Sequence, residues 1–428
     1  MISRRSFLQS SAVAGTGLSF SSAGLGHAEA GDSSMPPAIT NLQSMQHLAT
    51  PITVEERNVR REKARQLMKD NGLDAILVTE GTSLTYFTGI EWWAGERLFA
   101  MVLPIKGDAF FVCPAFEQGR AEEQIAKGQP GSADVRAWQE DQNPYQLLAQ
   151  GLRDRGIATG ELGIEETVRF VFADNIAKAA PQAKLVSATP VTAGCRRIKS
   201  PHEVALMRLA CKATLAVYKA VFDSLREGMT DHDIRHLIGL AYAKVGFAGD
   251  ADVSIGPNSA FPHGSAAPKV VREGEVILID DGCKVEGYTS DITRTFVIGK
   301  ASREMESVFE IVHRAQSAAL AAARPGVTCE SVDAAARKVI TDAGYGPDYK
   351  FFTHRVGHGM GMDIHEWPYL VRGNQARIAS NMVFSDEPGI YLRDKFGVRL
   401  EDDMHITENG AEMLTPQSQS LSNPFGKI

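Results

Sequence analysis

Acidic residues stand at the ends of strand-like apolar runs in the second half of this chain, and they constrain its fold more than any other feature. Asp280 ends the apolar run 276–279, and Asp291 lies eleven residues later in the motif S-D-I-T-R-T. Two strands joined across the turn bounded by Gly282 and Gly287 would bring these carboxylates side by side. Burying an unpaired charge is costly, so acids in such positions are hard to explain as solvated surface.

Three further residues complete a candidate ligand set. His358 lies in G-H-G-M-G, Glu387 in D-E-P-G-I-Y and Glu401 in G-V-R-L-E-D. Four carboxylates and one imidazole can hold two divalent cations when some carboxylates bridge, and this oxygen-rich set favours Mn²⁺ or Co²⁺ over a thiolate zinc centre. Taken singly, each acid has another explanation, for example Asp280 as a turn cap and Glu401 as a solvated acid.

Length and composition favour a two-domain globular protein. The chain has 428 residues, of which 43% are hydrophobic, and its net charge of −7 gives no indication of a nucleic-acid partner.

Residues 1–30 combine an Arg pair before Phe-Leu, a mild apolar run and A-E-A, which resembles a twin-arginine export signal. We therefore expect an exported or periplasmic protein without a membrane anchor, since the apolar stretch is too short to span a bilayer. A frayed helix or a chance Arg pair is the alternative.

The rest of the chain divides into a linker at 31–52, an α/β domain at 53–195 and a second domain at 196–428. Capping boxes predict helix starts after Thr53 and Ser200, and Asn71-Gly72 should stop the first helix. The five cysteines lack CxxC spacing and are odd in number, so we interpret them as buried hydrophobes. Apolar periodicity predicts the remaining elements. The helices are expected at 117–127, 143–155, 201–226, 231–245, 303–323 and 329–343, and the strands at 75–79, 99–103, 109–112, 161–164, 276–280, 289–297, 382–385 and 405–407.

In order, the motifs D-x-G, S-D-I-T-R-T, G-H-G-x-G, H-E-x-P, E-P-G-I-Y and G-V-R-x-E-D resemble the pita-bread metallopeptidases. H-E-x-P is typical of the proline-specific branch of Xaa-Pro dipeptidases (prolidases) and aminopeptidase P, and Y-F-T-G at 86–89 resembles the creatinase-type N-terminal domain. The resemblance covers roughly residues 54–420. It implies an α/β (α+β) chain with a creatinase-like α/β domain, then a pita-bread domain in which helices cover a curved antiparallel sheet.

The resemblance also implies a function. A hydroxide bridged between two divalent ions, Mn²⁺ before Co²⁺ or Zn²⁺, would hydrolyse the Xaa-Pro bond of dipeptides or short peptides. Asp280 would bind one metal and His358 the other, together with Glu387, while Asp291 and Glu401 bridge. Glu387 is also the best candidate to accept the proton of water.

Further residues carry over as substrate contacts. His263 would face the substrate, and His365 would stabilise the tetrahedral intermediate. His354 would orient the site or contact the substrate, and each histidine can alternatively be structural. Arg399 shares a strand face with Glu401, so it can reach either the bridging carboxylate or the product carboxylate.

The aromatic residues leave several alternatives open. Tyr288 can hydrogen-bond the metal cluster or pack in a strand, and Tyr369 stands where several dipeptidases have an arginine that helps hold the substrate's carboxylate. The preference between dipeptides and longer peptides therefore stays open. Three aromatic residues can line a proline-ring pocket or pack in the core: Phe261, Trp367 and Tyr391. By resemblance we also expect a homodimer, in which Trp92 and Trp93 contact the partner or pack in the core.

Two other classes of function compete with the peptidase. The same scaffold can act on another amide or C–N bond, or as a lyase, and it can also lose catalysis and become a binding module. The complete ligand set and both His263 and His365 disfavour the binding module. Asp281, which follows Asp280 where many relatives have an apolar residue, adds negative charge beside the site.

Overall fold

The computed structural model describes residues 35–128 and 133–425. The predicted export signal at 1–30 lies outside these ranges. The segment 31–52 was predicted to be a loose linker, and from residue 37 onward this is wrong. Ile39, in the short helix α1 (Pro37–Thr40), is 0% exposed, and the Met45 N–H donates to the Val245 carbonyl at 2.8 Å. Burial of a large apolar side chain contributes about 1.5–3 kcal/mol toward holding this segment against the body of the protein.

The N-terminal region folds as a mixed α/β layer. Its sheet has the order β4-β3-β2-β1-β5-β6, in which β1 pairs antiparallel with β2 and parallel with β5. The strands are β1 (Ala75–Thr79), β2 (Ala100–Pro104), β3 (Phe110–Pro114), β4 (Asp134–Trp138), β5 (Glu161–Ile164) and β6 (Lys184–Ser187). The helices after α1 are α2 (Val54–Asn71), α3 (Thr82–Thr88), α4 (Gln118–Gly128), α5 (Pro144–Asp154), α6 (Phe170–Ala179) and α7 (Thr189–Arg196), with 3₁₀ turns at Gln46–Leu48 and Ala115–Glu117.

The C-terminal region consists of antiparallel strands packed against helices. Its helices are α8 (Pro201–Phe222), α9 (Asp231–Val245), α10 (Arg303–Ala322) and α11 (Cys329–Asp342), with a 3₁₀ segment at Gly256–Ala260. Its strands are β7 (Ala248–Gly249), β8 (Asp252–Ile255), β9 (Val276–Asp281), β10 (Cys283–Val285), β11 (Tyr288–Thr289), β12 (Ile292–Val297), β13 (Gly357–Gly359), β14 (Glu366–Leu370), β15 (Val383–Asp386), β16 (Gly389–Leu392), β17 (Phe396–Arg399), β18 (Asp402–Ile406) and β19 (Ala411–Met413). Helices α10 and α11 share one apolar core with β15, β16, β17 and β18.

The local signals in the sequence place most helix boundaries. The capping boxes at Thr53 and Ser200 are both formed, and α2 ends at a left-handed Gly72 with φ 72°. The helix predicted for 201–226 is shorter and ends at Phe222. All five cysteines are free and buried, as expected. No helix within the described ranges is long and apolar enough to cross a bilayer.

Strand pairing brings the predicted ligands Asp280 and Asp291 close together. β9 lies between β8 and β12, and the antiparallel register places Thr293 opposite Asp280. The strand predicted for 289–297 is interrupted at Ser290 and Asp291. The Asp291 N–H leaves the ladder because it donates to the carboxylate of Asp403 at 3.3 Å instead. This break turns Asp291 toward the end of β9.

Candidate metal centre

One cavity of about 370 Å³ gathers the predicted site residues of the C-terminal region. That volume lies near the lower end of the range for small-molecule sites, about 300–1,000 Å³. All five predicted ligands line it, together with the three predicted histidines, Arg399 and three residues that the sequence did not single out. The full lining is Pro262, His263, Asp280, Asp291, His354, Arg355, His358, His365, Val371, Glu387, Arg399 and Glu401.

Three overlapping groups of ligand atoms share this cavity, and within each group the atoms lie within 4.8 Å of one another. The groups are Asp280, Asp291 and Glu401; His358, Glu387 and Glu401; and Asp291, His358 and His365. The strand ends explain the arrangement: the Glu401 N–H donates to the carbonyl of Thr293, the residue opposite Asp280 on β12, at 3.3 Å. Residues more than a hundred positions apart therefore converge on one point.

The imidazole of His358 is oriented for a cation. Its Nδ1 lies 3.1 Å from the Gly359 carbonyl, so the ring proton belongs on Nδ1 and the lone pair on Nε2. Nε2 lies 3.5 Å from an Asp291 oxygen and 3.4 Å from a Glu387 oxygen. Burial, followed by the neighbouring His365, lowers the pKa of His358 to about 3, so the ring is neutral. A lone pair that faces two carboxyl groups fits a cation shared by the three side chains.

The carboxylates point to the same conclusion. Burial, followed by repulsion from neighbouring acids, raises the pKa of Asp291 and Glu401 well above the ordinary range. Burial raises the pKa of Glu387 to about 7, with Asp280 adding to the effect and Arg399 opposing it. Thr293 has one hydroxyl proton but lies within hydrogen-bonding distance of both Asp280 and Glu401. The cluster therefore has too many negative oxygens for its protons, which fits divalent cations.

Arg399 resolves one of the alternatives. Its guanidinium forms an ion pair with Asp280, donates to the Tyr391 hydroxyl at 2.9 Å, and donates to the Thr293 hydroxyl at 3.0 Å and the Pro262 carbonyl at 2.9 Å. Burial alone would raise the pKa of Asp280, but Arg399 and Thr293 hold it below its ordinary value. Arg399 is thus committed to Asp280, one of the predicted ligands, rather than directed at a substrate.

The three histidines occupy different positions. His354 lies in a chain of hydrogen bonds: its Nε2 is 2.7 Å from the Tyr391 hydroxyl and its Nδ1 is 2.8 Å from the Arg355 carbonyl. Both ring nitrogens are occupied, so His354 positions the wall of the cavity. His263 and His365 are exposed at the cavity, where they can meet a ligand, and the His365 ring lies 4.0 Å from the His358 ring.

The structure decides between the alternatives left open for the aromatic residues. Tyr288 does not reach the metal cluster; its hydroxyl donates to Glu203 at 2.6 Å and accepts from Arg60 at 2.6 Å. Among the described residues that line the cavity there is no aromatic ring except histidine. The three candidates for a ring pocket do not line the cavity: Phe261 is 41% exposed beneath Arg393, Trp367 is 37% exposed beneath Arg197, and Tyr391 is buried, in agreement with the core-packing alternative. Apolar lining comes from Pro262 and Val371 instead.

A second layer that sequence reasoning missed supports the loop carrying His365. Glu366 is buried and accepts from Lys199 at 3.1 Å, and Asp363 accepts from Arg196 at 2.6 Å and also from Thr82. The glutamate of the H-E-x-P motif already indicated such a pairing, since a buried glutamate next to a site histidine needs a basic partner. The sequence could not indicate which lysine or arginine supplies it.

Comparison with known proteins identifies the family. Residues 205–408 match the model of metallopeptidase family M24, and residues 60–198 match the creatinase/prolidase N-terminal domain. An Xaa-Pro dipeptidase of Pyrococcus furiosus is 32% identical over 367 residues, which cover 85% of this chain and 99% of that protein. The chain belongs to metallopeptidase family M24. This confirms the resemblance seen in the motifs and the predicted fold class.

Two solved structures illustrate the family fold. The dipeptidase PepE of Mycobacterium ulcerans has a TM-score of 0.81 and 33% identity, covering 87% of this chain and 99% of that one. The X-Pro aminopeptidase of Thermotoga maritima has a TM-score of 0.69 and 30% identity, covering 84% and 99%. Membership of a metallopeptidase family agrees with a cavity that is built for divalent metal ions.

Proposed function

We propose that this protein is a metal-dependent aminopeptidase that hydrolyses the Xaa-Pro bond of dipeptides or short peptides. The observation that carries the proposal is the convergence of four carboxylates and a neutral imidazole on one cavity that also exposes His263 and His365. Relatives named Xaa-Pro dipeptidase support the substrate class.

Each ligand has a proposed role. Asp280 would hold one cation, His358 and Glu387 would hold the other, and Asp291 and Glu401 would serve both. When bound, a pair of divalent cations lowers the pKa of water and polarises a carbonyl. We propose Mn²⁺ as the native metal, since the set is mostly oxygen with one nitrogen.

The chain's own residues handle the proton and the substrate. Glu387 accepts a proton from the attacking water and returns it to the prolyl nitrogen as the C–N bond breaks. His365 and His263, exposed at the cavity, donate to the carbonyl oxygen as it gains negative charge. A prolyl amide has no N–H, so alignment must come from these groups and from the free amine of the substrate.

Hydrolysis of matched Xaa-Pro and Xaa-Ala dipeptides and tripeptides by the Mn²⁺-loaded mature protein tests the proposal, with a chelator blank. Cleavage before proline alone, abolished by the chelator and restored by Mn²⁺, is the expected result. No cleavage by a protein that demonstrably binds two metals would instead favour a lyase or a different amide substrate.

We also propose export and dimerisation. The Arg4-Arg5 pair, the apolar run and the A-E-A pattern support a twin-arginine signal. Sequencing the N-terminus of protein recovered from the periplasm tests this, and an intact Met1 in cytoplasmic protein would contradict it.

For the dimer, Trp93 is 67% exposed and available for contact with a partner subunit, whereas Trp92 stacks on Phe99 with ring centres 4.0 Å apart. Sedimentation of the wild-type protein and of Trp93→Ala tests that contact.

A further inference from the structure

One of the two arginines that line the cavity has no hydrogen-bonded or ion-paired partner among the described residues. The other, Arg399, is fully occupied by Asp280 and Tyr391. The guanidinium of Arg355, in contrast, makes no hydrogen bond and no ion pair with any residue in the described ranges. Arg355 is half-buried and lies two residues before the start of β13, the strand that carries His358.

A neighbouring ring holds this guanidinium in place. The Arg355 guanidinium carbon lies 4.2 Å from the centre of the Tyr369 ring, the geometry of a cation–π contact. Tyr369 pairs with His358 across β13 and β14, and the Val356 N–H donates to the Leu370 carbonyl at 3.2 Å. The ring therefore fixes the cation beside the metal centre and leaves the N–H groups of its planar fork free.

The charge of the surroundings indicates what these N–H groups would bind. The four acidic residues that line the cavity are the proposed metal ligands, and its other titratable residues are four histidines and the two arginines. No acid of the described chain lies within 4 Å of the Arg355 guanidinium, so an anion from solution can approach it. A guanidinium fork matches a carboxylate in two parallel hydrogen bonds.

We propose that Arg355, supported by Tyr369, binds the C-terminal carboxylate of the substrate and makes this chain selective for dipeptides with a free C-terminus. The inference rests on the proposed peptidase function and adds the residue that sets substrate length. A dipeptide places its carboxylate one residue beyond the scissile carbonyl, whereas each added residue moves it by about 3.5 Å. A cation held at a fixed distance from the metal site can therefore discriminate between dipeptides and longer peptides.

Steady-state kinetics with alanylproline and alanylprolinamide test the assignment, because the two peptides differ only in the charge at the C-terminus. A charged hydrogen-bonded contact corresponds to about a 10- to 100-fold preference in KM for the free acid. Arg355→Leu is expected to reduce that preference to about 1 with a smaller change in kcat. Arg355→Gln, which keeps a hydrogen-bonding group without charge, should behave alike and serves if the leucine variant fails to fold.

Arg393→Leu is the matched control. Arg393 also lies over an aromatic ring, that of Phe261 at 4.2 Å, but it does not line the cavity. It should keep the wild-type preference. An unchanged preference in folded, metal-loaded Arg355→Leu, or its loss in Arg393→Leu, would overturn the assignment.

Calorimetric titration with L-proline and L-prolinamide separates the inference from the proposed function, because it needs no turnover. The metal-loaded wild type should bind proline more tightly than prolinamide, and Arg355→Leu should not. Equal binding of both compounds by the wild type would refute the carboxylate site. A protein that binds proline through Arg355 but cleaves neither peptide would refute the peptidase and support the site.

Discussion

Glu387→Gln should change stability in opposite directions with and without metal. Glu387 is only 14% exposed and lies 3.4 Å from the neutral His358, among carboxylates that repel it. In the metal-free protein the ionised Glu387 destabilises the folded state at neutral pH, because its charge is buried without adequate compensation. With metal bound, the same charge is a ligand.

The pKa of Glu387 gives the magnitude. Its displacement from 4.5 to about 7 corresponds to about 3 kcal/mol, at about 1.4 kcal/mol for each tenfold change in proton affinity. Because the pKa is raised in the folded state, the folded protein holds the proton more tightly than the unfolded chain. This group's contribution to the unfolding free energy is therefore greatest below pH 4.5 and falls as the pH rises to about 7. The glutamine side chain does not ionise, so the unfolding free energy of Glu387→Gln does not decrease in this way as the pH rises.

Urea unfolding of chelated protein at pH 5 and pH 8 measures the effect. Without metal, the unfolding free energy of Glu387→Gln should exceed that of the wild type by up to about 3 kcal/mol at pH 8. At pH 5 the difference in unfolding free energy should be smaller. With excess Mn²⁺ the order should reverse, since a ligand at 1,000 times its Kd stabilises by about 4 kcal/mol and the variant binds less tightly. Glu408→Gln, at an exposed glutamate, should change neither state. A metal-free Glu387→Gln that is no more stable than wild type at pH 8 would refute this account of the cluster.

Three other substitutions address separate parts of the site. Asp291→Asn should abolish hydrolysis and lower the bound metal measured by mass spectrometry, and near-normal turnover would defeat its assignment as a bridge. His365→Ala should lower kcat by about 10²–10³-fold with metal content unchanged, whereas loss of metal would make His365 a ligand, as its proximity to Asp291 and His358 permits. Arg294→Met should destabilise the protein by about 3–5 kcal/mol in urea unfolding, because it leaves the buried Asp402 without its partner at 2.6 Å.

The sequence predicted the features of this fold that depend on local patterns. Helix starts followed from Thr53 and Ser200, whose side chains and glutamates three residues later meet within one turn. The convergence of Asp280 and Asp291 followed from two apolar runs joined by a short turn. In each case the interacting residues are near neighbours in the chain, so their spacing carries the information.

Predictions that depended on the direction of a side chain were less accurate. Arg399 was correctly placed near Glu401, but its partner Asp280 lies 119 positions away on another sheet. Tyr288 turned toward Arg60, a contact between the two halves of the chain, which no local pattern encodes. Arg355 was overlooked because an arginine between two histidines has no distinctive spacing.

The treatment of buried acids elsewhere in the C-terminal region explains why the cavity needs metal. Asp402 is matched by Arg294 and Glu366 by Lys199, each pair inside the protein. Asp386 has no partner among the described residues, and burial raises its pKa well above the ordinary range, so it is held as a neutral acid. The cavity carboxylates follow neither pattern as a group. Arg399 pairs with Asp280 and lies 3.8 Å from Glu401, whereas Asp291 and Glu387 have no arginine partner within 4 Å among the described residues and face the lone pair of the neutral His358. Divalent cations would both neutralise these acids and accept that lone pair. The arrangement of the cavity therefore fits metal binding, as membership of metallopeptidase family M24 leads one to expect.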